Sequence, residues 1–257
     1  MTESVWWWRE RAGDVACGFT RRESGVSEGD WTGLNLGGHV GDDAEAVARN
    51  RQRVLDSLVT DAQMPRVPAP VFMDQVHGAQ VRILTEPGEL SRPVPPTDGG
   101  VTTLTAVARF VLVADCVPIL FWDNEAGIIG AAHAGRPGML AGVVSRTITA
   151  MQGLGARDIV AAVGPSVCSR CYEVPTEMRA AAGAVEPVSA AVTWSGTPAI
   201  DVGAGVVEQL RRGGVSATWV PGCTREEAGL YSYRRDGRTG RFAGVITRSG
   251  SGTERAS

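Results

Sequence analysis

The chain has 257 residues, 43 % of them hydrophobic and 21 % charged, enough to bury a core without disulfide or metal staples. Twenty-five basic residues against 28 acidic ones leave a formal charge of −3, a poor footprint for gripping a phosphate backbone, so no nucleic-acid partner is expected. Apolar runs are broken by Asp, Gly or Pro before the roughly 20 residues of a bilayer span, and no basic segment leads into an apolar stretch near the N-terminus; the expectation is a soluble cytoplasmic protein with no membrane partner.

The first cluster, Trp6, Trp7 and Trp8, suits an edge strand, a lid over a pocket or an interface patch. Gly18 to Gly41 is rich in Gly, Ser and Thr and predicts strand fragments joined by turns. Asp42 and Asp43 precede an apolar face of Val47, Val54, Leu55 and Leu58, which predicts a helix over 43–58. Short strands are predicted over 71–74 and 79–84. The proline- and glycine-rich stretch 87–100 predicts a long surface loop, a lid or a plain connection. The centre is the most strand-like part, at 110–114, 117–122 and 128–132, and its dense Val and Ile content without clean alternation implies strands covered on both faces. Leu140, Val144, Ile148 and Met151 recur at helical spacing and predict one helix over 138–152. A strand over 158–163, helices over 175–182 and 202–212, and strands over 217–220 and 242–247 complete the chain, with 249–257 a disordered tail. Helices and strands mix without regular alternation and no linker interrupts them. An α+β fold in one domain spanning 1–257 is therefore expected.

Five cysteines, too few and too unevenly placed for a disulfide framework, fit a reducing compartment. No GxGxxG follows a strand, and GxxxxGK[ST], HExxH and GxSxG do not occur, which argues against dinucleotide binding, P-loop chemistry, zincin proteolysis and the usual serine hydrolase. The three histidines are His39, His77 and His133. His77 and His133 each stand beside glycine at a predicted strand end, and Cys116 follows Asp115 at another. If those ends converge, two imidazoles and a thiolate make a tetrahedral set with one position open to water or substrate. A metal-free dyad of Cys116 with a histidine, and plain packing, remain open on these residues alone. Cys168 and Cys171 form a CxxC for which Cys17 and Cys223 are arithmetically available as further zinc ligands. Nothing local brings them together, so redox chemistry or packing is the simpler reading, and they are left outside the metal set. The block Ser232 to Arg241 carries four arginines punctuated by glycine, an anion site or an ordinary solvated hairpin.

In order along the chain, Gly18-Phe19-Thr20-Arg21, Asn35-Leu36-Gly37, His39-Val40-Gly41-Asp42, Gln75-Val76-His77-Gly78, Ala114-Asp115-Cys116-Val117-Pro118, His133-Ala134-Gly135, Gly164-Pro165 with Tyr172-Glu173-Val174, and the Ser232–Arg241 block resemble the laccase-domain family. Its members are also described as multicopper polyphenol oxidoreductase-like proteins and are now understood as purine nucleoside phosphorylases with adenosine deaminase activity. The resemblance implies mixed β-sheets packed together and flanked by helices, with a likeness to cysteine hydrolases. It implies His77, Cys116 and His133 as ligands of zinc, or alternatively copper. Asn35, Gln75 and Arg241, with Arg136 and Glu173, are then expected around the substrate, and Asp115 or Glu173 is the candidate proton relay. Purine nucleosides, methylthioadenosine among them, with inorganic phosphate as co-substrate, are the implied partners of a monomer or small homo-oligomer. One departure stands out: where the family reads His-Ala-Gly-Trp-Arg-Gly, this chain has His133-Ala134-Gly135-Arg136-Pro137-Gly138, which puts phosphate handling in question more than metal binding. The rivals are a copper-dependent polyphenol oxidoreductase, a metal-free cysteine hydrolase using Cys116 and His133, and a binding protein that kept the scaffold.

Overall fold

The structure, a computed structural model, describes residues 4–250 apart from 63 and 65. In chain order its elements are β1 (Trp6–Ala12), β2 (Val15–Thr20), α1 (Ala44–Ala62), β3 (Ala69–Val71), β4 (Val81–Leu84), β5 (Gly99–Thr102), β6 (Val107–Val113), β7 (Val117–Asp123), β8 (Ile128–Ala134), α2 (Arg136–Leu140), α3 (Val143–Gly153), β9 (Val160–Val163), α4 (Thr176–Val185), β10 (Ala190–Val192), β11 (Pro198–Ile200), α5 (Val202–Arg212), β12 (Ser216–Trp219), α6 (Tyr233–Asp236) and β13 (Phe242–Arg248). A five-stranded sheet runs β1-β2-β13-β6-β3, a six-stranded sheet runs β12-β9-β7-β8-β5-β4, and β10-β11 is a small antiparallel pair. Most pairings are antiparallel, with parallel ones where β3 joins β6, β4 joins β5 and β12 joins β9. This is the mixed α+β architecture expected.

Alternation along the central strands distributes their side chains among the layers. In β7, Val117, Ile119 and Phe121 pack with Val144, Ile148 and Met151 of α3 and Val206 and Leu210 of α5. Leu120 and Trp122 point the other way and meet Phe19 of β2, Val111 and Val113 of β6 and Phe242 and Ile246 of β13 between the two sheets. The opposite face of β6, Ala108, Phe110 and Leu112, closes on Val54, Leu55 and Leu58 of α1. The order of layers is thus helix, sheet, sheet, helices, and each fully buried Leu, Ile or Phe contributes about 1.5–3 kcal/mol relative to exposure. Both faces of β6, β7 and β8 are covered, which is why their sequences read as dense apolar runs, interrupted only by the buried Arg109, Asp123 and His133.

Several expectations are corrected. The apolar period through Leu140, Val144, Ile148 and Met151 is unbroken, yet the predicted single helix is two, because Gly142 takes φ +80° and turns the chain between α2 and α3. Residues 87–100 hold a short 3-10 turn, Pro87–Ser91, and then enter β5 at Gly99; none of them lines the main cavity, so the stretch is not its lid. The tryptophan cluster is an edge strand: Trp6 Nε1 donates to Ser57 Oγ on α1 at 2.9 Å, and Trp8 stacks on Phe19. Of the expected tail, Ser249 is tied by its N–H to the Asp14 carbonyl at 2.9 Å, and 251–257 lie outside the described residues. Among the described residues no helix is long and apolar enough to cross a membrane.

Candidate metal centre and its pocket

The C-terminal ends of β6 and β8 and the N-terminal end of β7 meet at one edge, so Cys116, just before β7, lies beside His133, near the end of β8. The loop after β3 brings His77 to them. Cys116 Sγ is 3.7 Å from His77 Nε2, the two imidazole rings stand edge to face with centroids 4.8 Å apart, and the ligand atoms of the three residues lie within 4.8 Å of one another.

Asp98, which the sequence reading did not single out, organises this centre. It sits just before β5, fully buried, and its carboxylate accepts the backbone N–H groups of Val76 (3.2 Å), His77 (2.9 Å) and Gly78 (2.6 Å) and the Nδ1 of His133 (2.8 Å). Its carbonyl accepts the His133 N–H at 2.7 Å. These bonds hold the 76–78 loop closed although His77 has φ +63°, a conformation costing a β-carbon-bearing residue about 1 kcal/mol or more. Gly135 completes the approach: a Cβ there would stand 2.6 Å from His77 Cδ2 and 3.1 Å from Cys116 Sγ.

Burial by itself would raise the Cys116 thiol, but the charges and hydrogen bonds of His133 and His77 outweigh it and bring Cys116 down to about 6. Burial would likewise lower His133, yet Cys116 and Asp98 together raise it to about 9. Asp98 is held below the ordinary carboxylate range because the bonds from His133, Gly78 and His77 overcome its desolvation. These shifts favour a thiolate at Cys116 beside a His133 imidazole anchored on the buried Asp98 carboxylate.

This donor set fits a zinc or copper ion. One thiolate and two imidazoles are borderline-soft ligands, and with His133 Nδ1 engaged by Asp98, Nε2 is the nitrogen left to bind metal, the carboxylate–histidine pairing common behind metal ligands. Three protein donors leave a fourth position for a reactant.

The centre opens into a cavity of about 680 Å³ lined by His77, Cys116 and His133 and by Gln75, Asp115, Arg136, Tyr172, Arg234 and Arg241, within the size range of small-molecule sites. Gln75 is pinned by both ends of its amide to Leu112, donating to the carbonyl at 2.7 Å and accepting the N–H at 2.9 Å. Arg136 opens α2, and Pro137 falls in the first turn, where no intrahelical N–H bond is required, so the departure from the family's Trp-Arg leaves the helix start intact. Arg234 lies over the Tyr172 ring, 4.9 Å from its centroid. Arg241 Nη1 donates to the carbonyls of Thr239 and Gly240, and burial lowers its guanidinium below the ordinary value.

Two expected residues lie off the cavity, and a third lines it with its carboxylate engaged. Asn35 is buried outside the cavity lining; its Oδ1 accepts the N–H groups of Gly37 and Arg241, at 2.9 and 2.8 Å, so it supports Arg241 from behind. Glu173 is exposed and off the cavity: it pairs with Ala199 in an extended segment, which turns the neighbouring Tyr172 inward instead. Asp115 lines the cavity with φ +96°, but its carboxylate already accepts Thr224 Oγ1 (2.6 Å), Ser232 Oγ (2.7 Å) and the Arg234 N–H (2.6 Å). The cysteines give a further correction: Cys223 does converge on Cys168 and Cys171, whereas Cys17 is buried between the sheets.

The fold and this centre define a laccase-domain protein, and residues 16–249 match the family model described as multi-copper polyphenol oxidoreductase laccase. The chain belongs to that family. It is 51 % identical over 241 residues, 93 % of this chain and 97 % of the relative, to a Streptomyces coelicolor protein named a purine nucleoside phosphorylase. A protein of the same name from Corynebacterium glutamicum is 43 % identical, with 89 % of this chain and 92 % of the relative covered. Among solved structures, a Neisseria meningitidis protein described under DUF152 superposes with a TM-score of 0.82 at 32 % identity, covering 96 % of this chain and 100 % of its own. YlmD of Geobacillus stearothermophilus superposes with a TM-score of 0.80 at 29 % identity, covering 96 % and 100 %.

Proposed function

We propose that the chain is a zinc-dependent purine nucleoside phosphorylase that also deaminates adenosine, with methylthioadenosine as a further phosphorolysis substrate. The observation that carries this reading is the joining, in one cavity, of the three-donor set with the guanidinium-bearing residues Arg136, Arg234 and Arg241. The names of the relatives point the same way. His77, Cys116 and His133 would hold the ion, which when bound supplies a Lewis acid and lowers the pKa of water.

The chain's own residues supply the rest. The arginines bind the incoming phosphate, whose oxygens match guanidinium forks. Tyr172, which lines the cavity beside Arg234, serves as the platform for the purine. Asp98 fixes the tautomer and orientation of His133. Asp115, with three donors on its carboxylate, positions the Arg234 backbone and keeps Cys116 at the cavity wall.

A second reading is a copper oxidoreductase acting on phenols. The family model's description and the His₂Cys donor set, which suits copper electron-transfer sites, back it more directly than they back nucleoside chemistry. Against it, a trinuclear cluster with a separate electron-entry site needs many imidazoles, and the chain has three histidines in all. Chromatography of products after incubation with adenosine, with and without phosphate, on protein of measured metal content decides between them. Phosphate-dependent release of adenine, and phosphate-independent formation of inosine, are expected; phenol oxidation by copper-loaded protein without nucleoside turnover reverses the ranking. Turnover that survives exhaustive chelation and is lost in Cys116→Ala would assign the site to metal-free cysteine hydrolysis, Cys116 attacking and His133 relaying the proton.

A further inference from the structure

A second cluster of ligand-type side chains lies outside the centre described above. Cys168, Cys171, Cys223 and Glu226 bring three sulfurs and a carboxylate oxygen within 4.8 Å of one another. Two turns of the same form deliver them. In Cys168-Ser169-Arg170-Cys171 the N–H groups of Cys171 and Tyr172 both donate to the Cys168 carbonyl, each at 3.0 Å. In Cys223-Thr224-Arg225-Glu226 the N–H groups of Glu226 and Glu227 donate to the Cys223 carbonyl at 3.0 and 2.9 Å. Each turn therefore presents its first and fourth residues together, the first a cysteine in both.

The turns are clamped to each other by backbone. Ser166 bridges Cys223 in parallel pairing, with Ser166 N–H donating to Gly222 at 3.3 Å and Thr224 N–H donating to Ser166 at 3.1 Å. The Cys168 N–H points at Cys223 Sγ, 3.5 Å away, and Cys171 Sγ donates to Glu226 Oε1 at 3.1 Å. Cys171 and Cys223 are buried with Val167 in a small cluster of their own, and all three cysteines are free thiols. Three thiols and a carboxylate, all metal-ligand types, face one another here. An N–H aimed at a sulfur is the type of contact that stabilises a thiolate ligand.

We propose that Cys168, Cys171, Cys223 and Glu226 form a second, structural zinc site. Three thiolates and one carboxylate complete a tetrahedral shell with no open position, the arrangement of a structural rather than a catalytic ion. Zinc replaces the protons of the three thiols, which leave to solvent, and no electron changes hands. The site braces the reactive cavity: Val167 and Tyr172, immediately before and after the first turn, both line it, and Thr224 of the second turn holds Asp115. The proposal stands whether or not the nucleoside reading does.

The test is zinc stoichiometry and zinc-edge X-ray absorption on full-length protein from zinc-supplied cells, purified without chelator. Wild type should carry two equivalents with sulfur and nitrogen neighbours. The Cys116→Ala/His77→Ala variant, with the first centre dismantled, should keep one equivalent with three sulfur neighbours and one oxygen. Cys171→Ser and Cys223→Ser should each lose this equivalent while keeping the other. Absence of zinc from the Cys116→Ala/His77→Ala protein, a zinc shell there without sulfur, iron in its place, or a native disulfide among the three cysteines overturns the proposal. Because the decisive sample leaves all four ligands intact, failure of a cysteine variant to fold does not blunt the result.

Discussion

The molecule holds two sulfur-containing clusters, and they differ in what surrounds the thiol. Cys116 faces two imidazoles, one anchored on Asp98, and is brought down to about 6. Cys171 faces other thiols and a carboxylate, and burial followed by the Glu226 bond pushes it up to about 12. The first cluster creates a thiolate from within the protein, keeps three donors and opens onto a cavity. The second has four donors, three thiols and a carboxylate, gathered within 4.8 Å of one another. Neighbours, rather than the residue type, decide whether a cysteine is poised to react or to hold the chain together.

Breaking the first cluster should have the largest effect. Cys116→Ala should lower turnover by more than about 100-fold, since loss of even an outer partner of a metal ligand costs roughly 10–100-fold; steady-state assay with adenosine and phosphate checks it. Asp98→Asn should weaken metal binding by roughly 10–100-fold, read by competition with a chromophoric chelator, because the amide cannot accept from all three loop N–H groups and His133 at once. The contrast between the two cysteines is sharpened by pH. In metal-stripped protein a folded-state pKa below the ordinary thiol value means thiolate is present above about 6. Alkylation at Cys116 should therefore rise through that pH and level off near neutrality. With a thiolate fraction at pH 7 roughly 30 times that of an ordinary cysteine near 8.5, its labelling should far outrun that of Cys171 by peptide mapping. The smallest change is at the contact joining the clusters: Thr224→Val removes the hydroxyl donor to Asp115, which keeps the Ser232 and Arg234 donors, and should cost about 0.5–1.5 kcal/mol in denaturant unfolding, the net range of a single hydrogen bond.

What could be read from the sequence, and what could not, follows from the range of the signals. Strands β6, β7 and β8 were legible because burial on both faces leaves an apolar run. His77, Cys116 and His133 could be singled out because histidines are scarce and the family resemblance picks out these three, although His77 stands in the loop after β3 and not at the strand end expected for it. The break at Gly142 was not, since the apolar period keeps its phase across it. Asp98 escaped because its role is to accept backbone N–H groups about twenty residues away, a task that leaves no residue pattern. Glu173 was misplaced by a single residue, which in extended chain is the difference between cavity and solvent. Cys223 lies 55 residues from Cys168, and its only local trace is that Cys223-Thr224-Arg225-Glu226 echoes Cys168-Ser169-Arg170-Cys171.

Pro137 carries one more consequence. It occupies a helical turn whose amide hydrogens are idle in any case, and the preceding Arg136 lines the cavity. The dipeptide after Gly135 can therefore be rewritten without disturbing the backbone that carries His133. That makes 136–137 a first place to engineer the cavity wall.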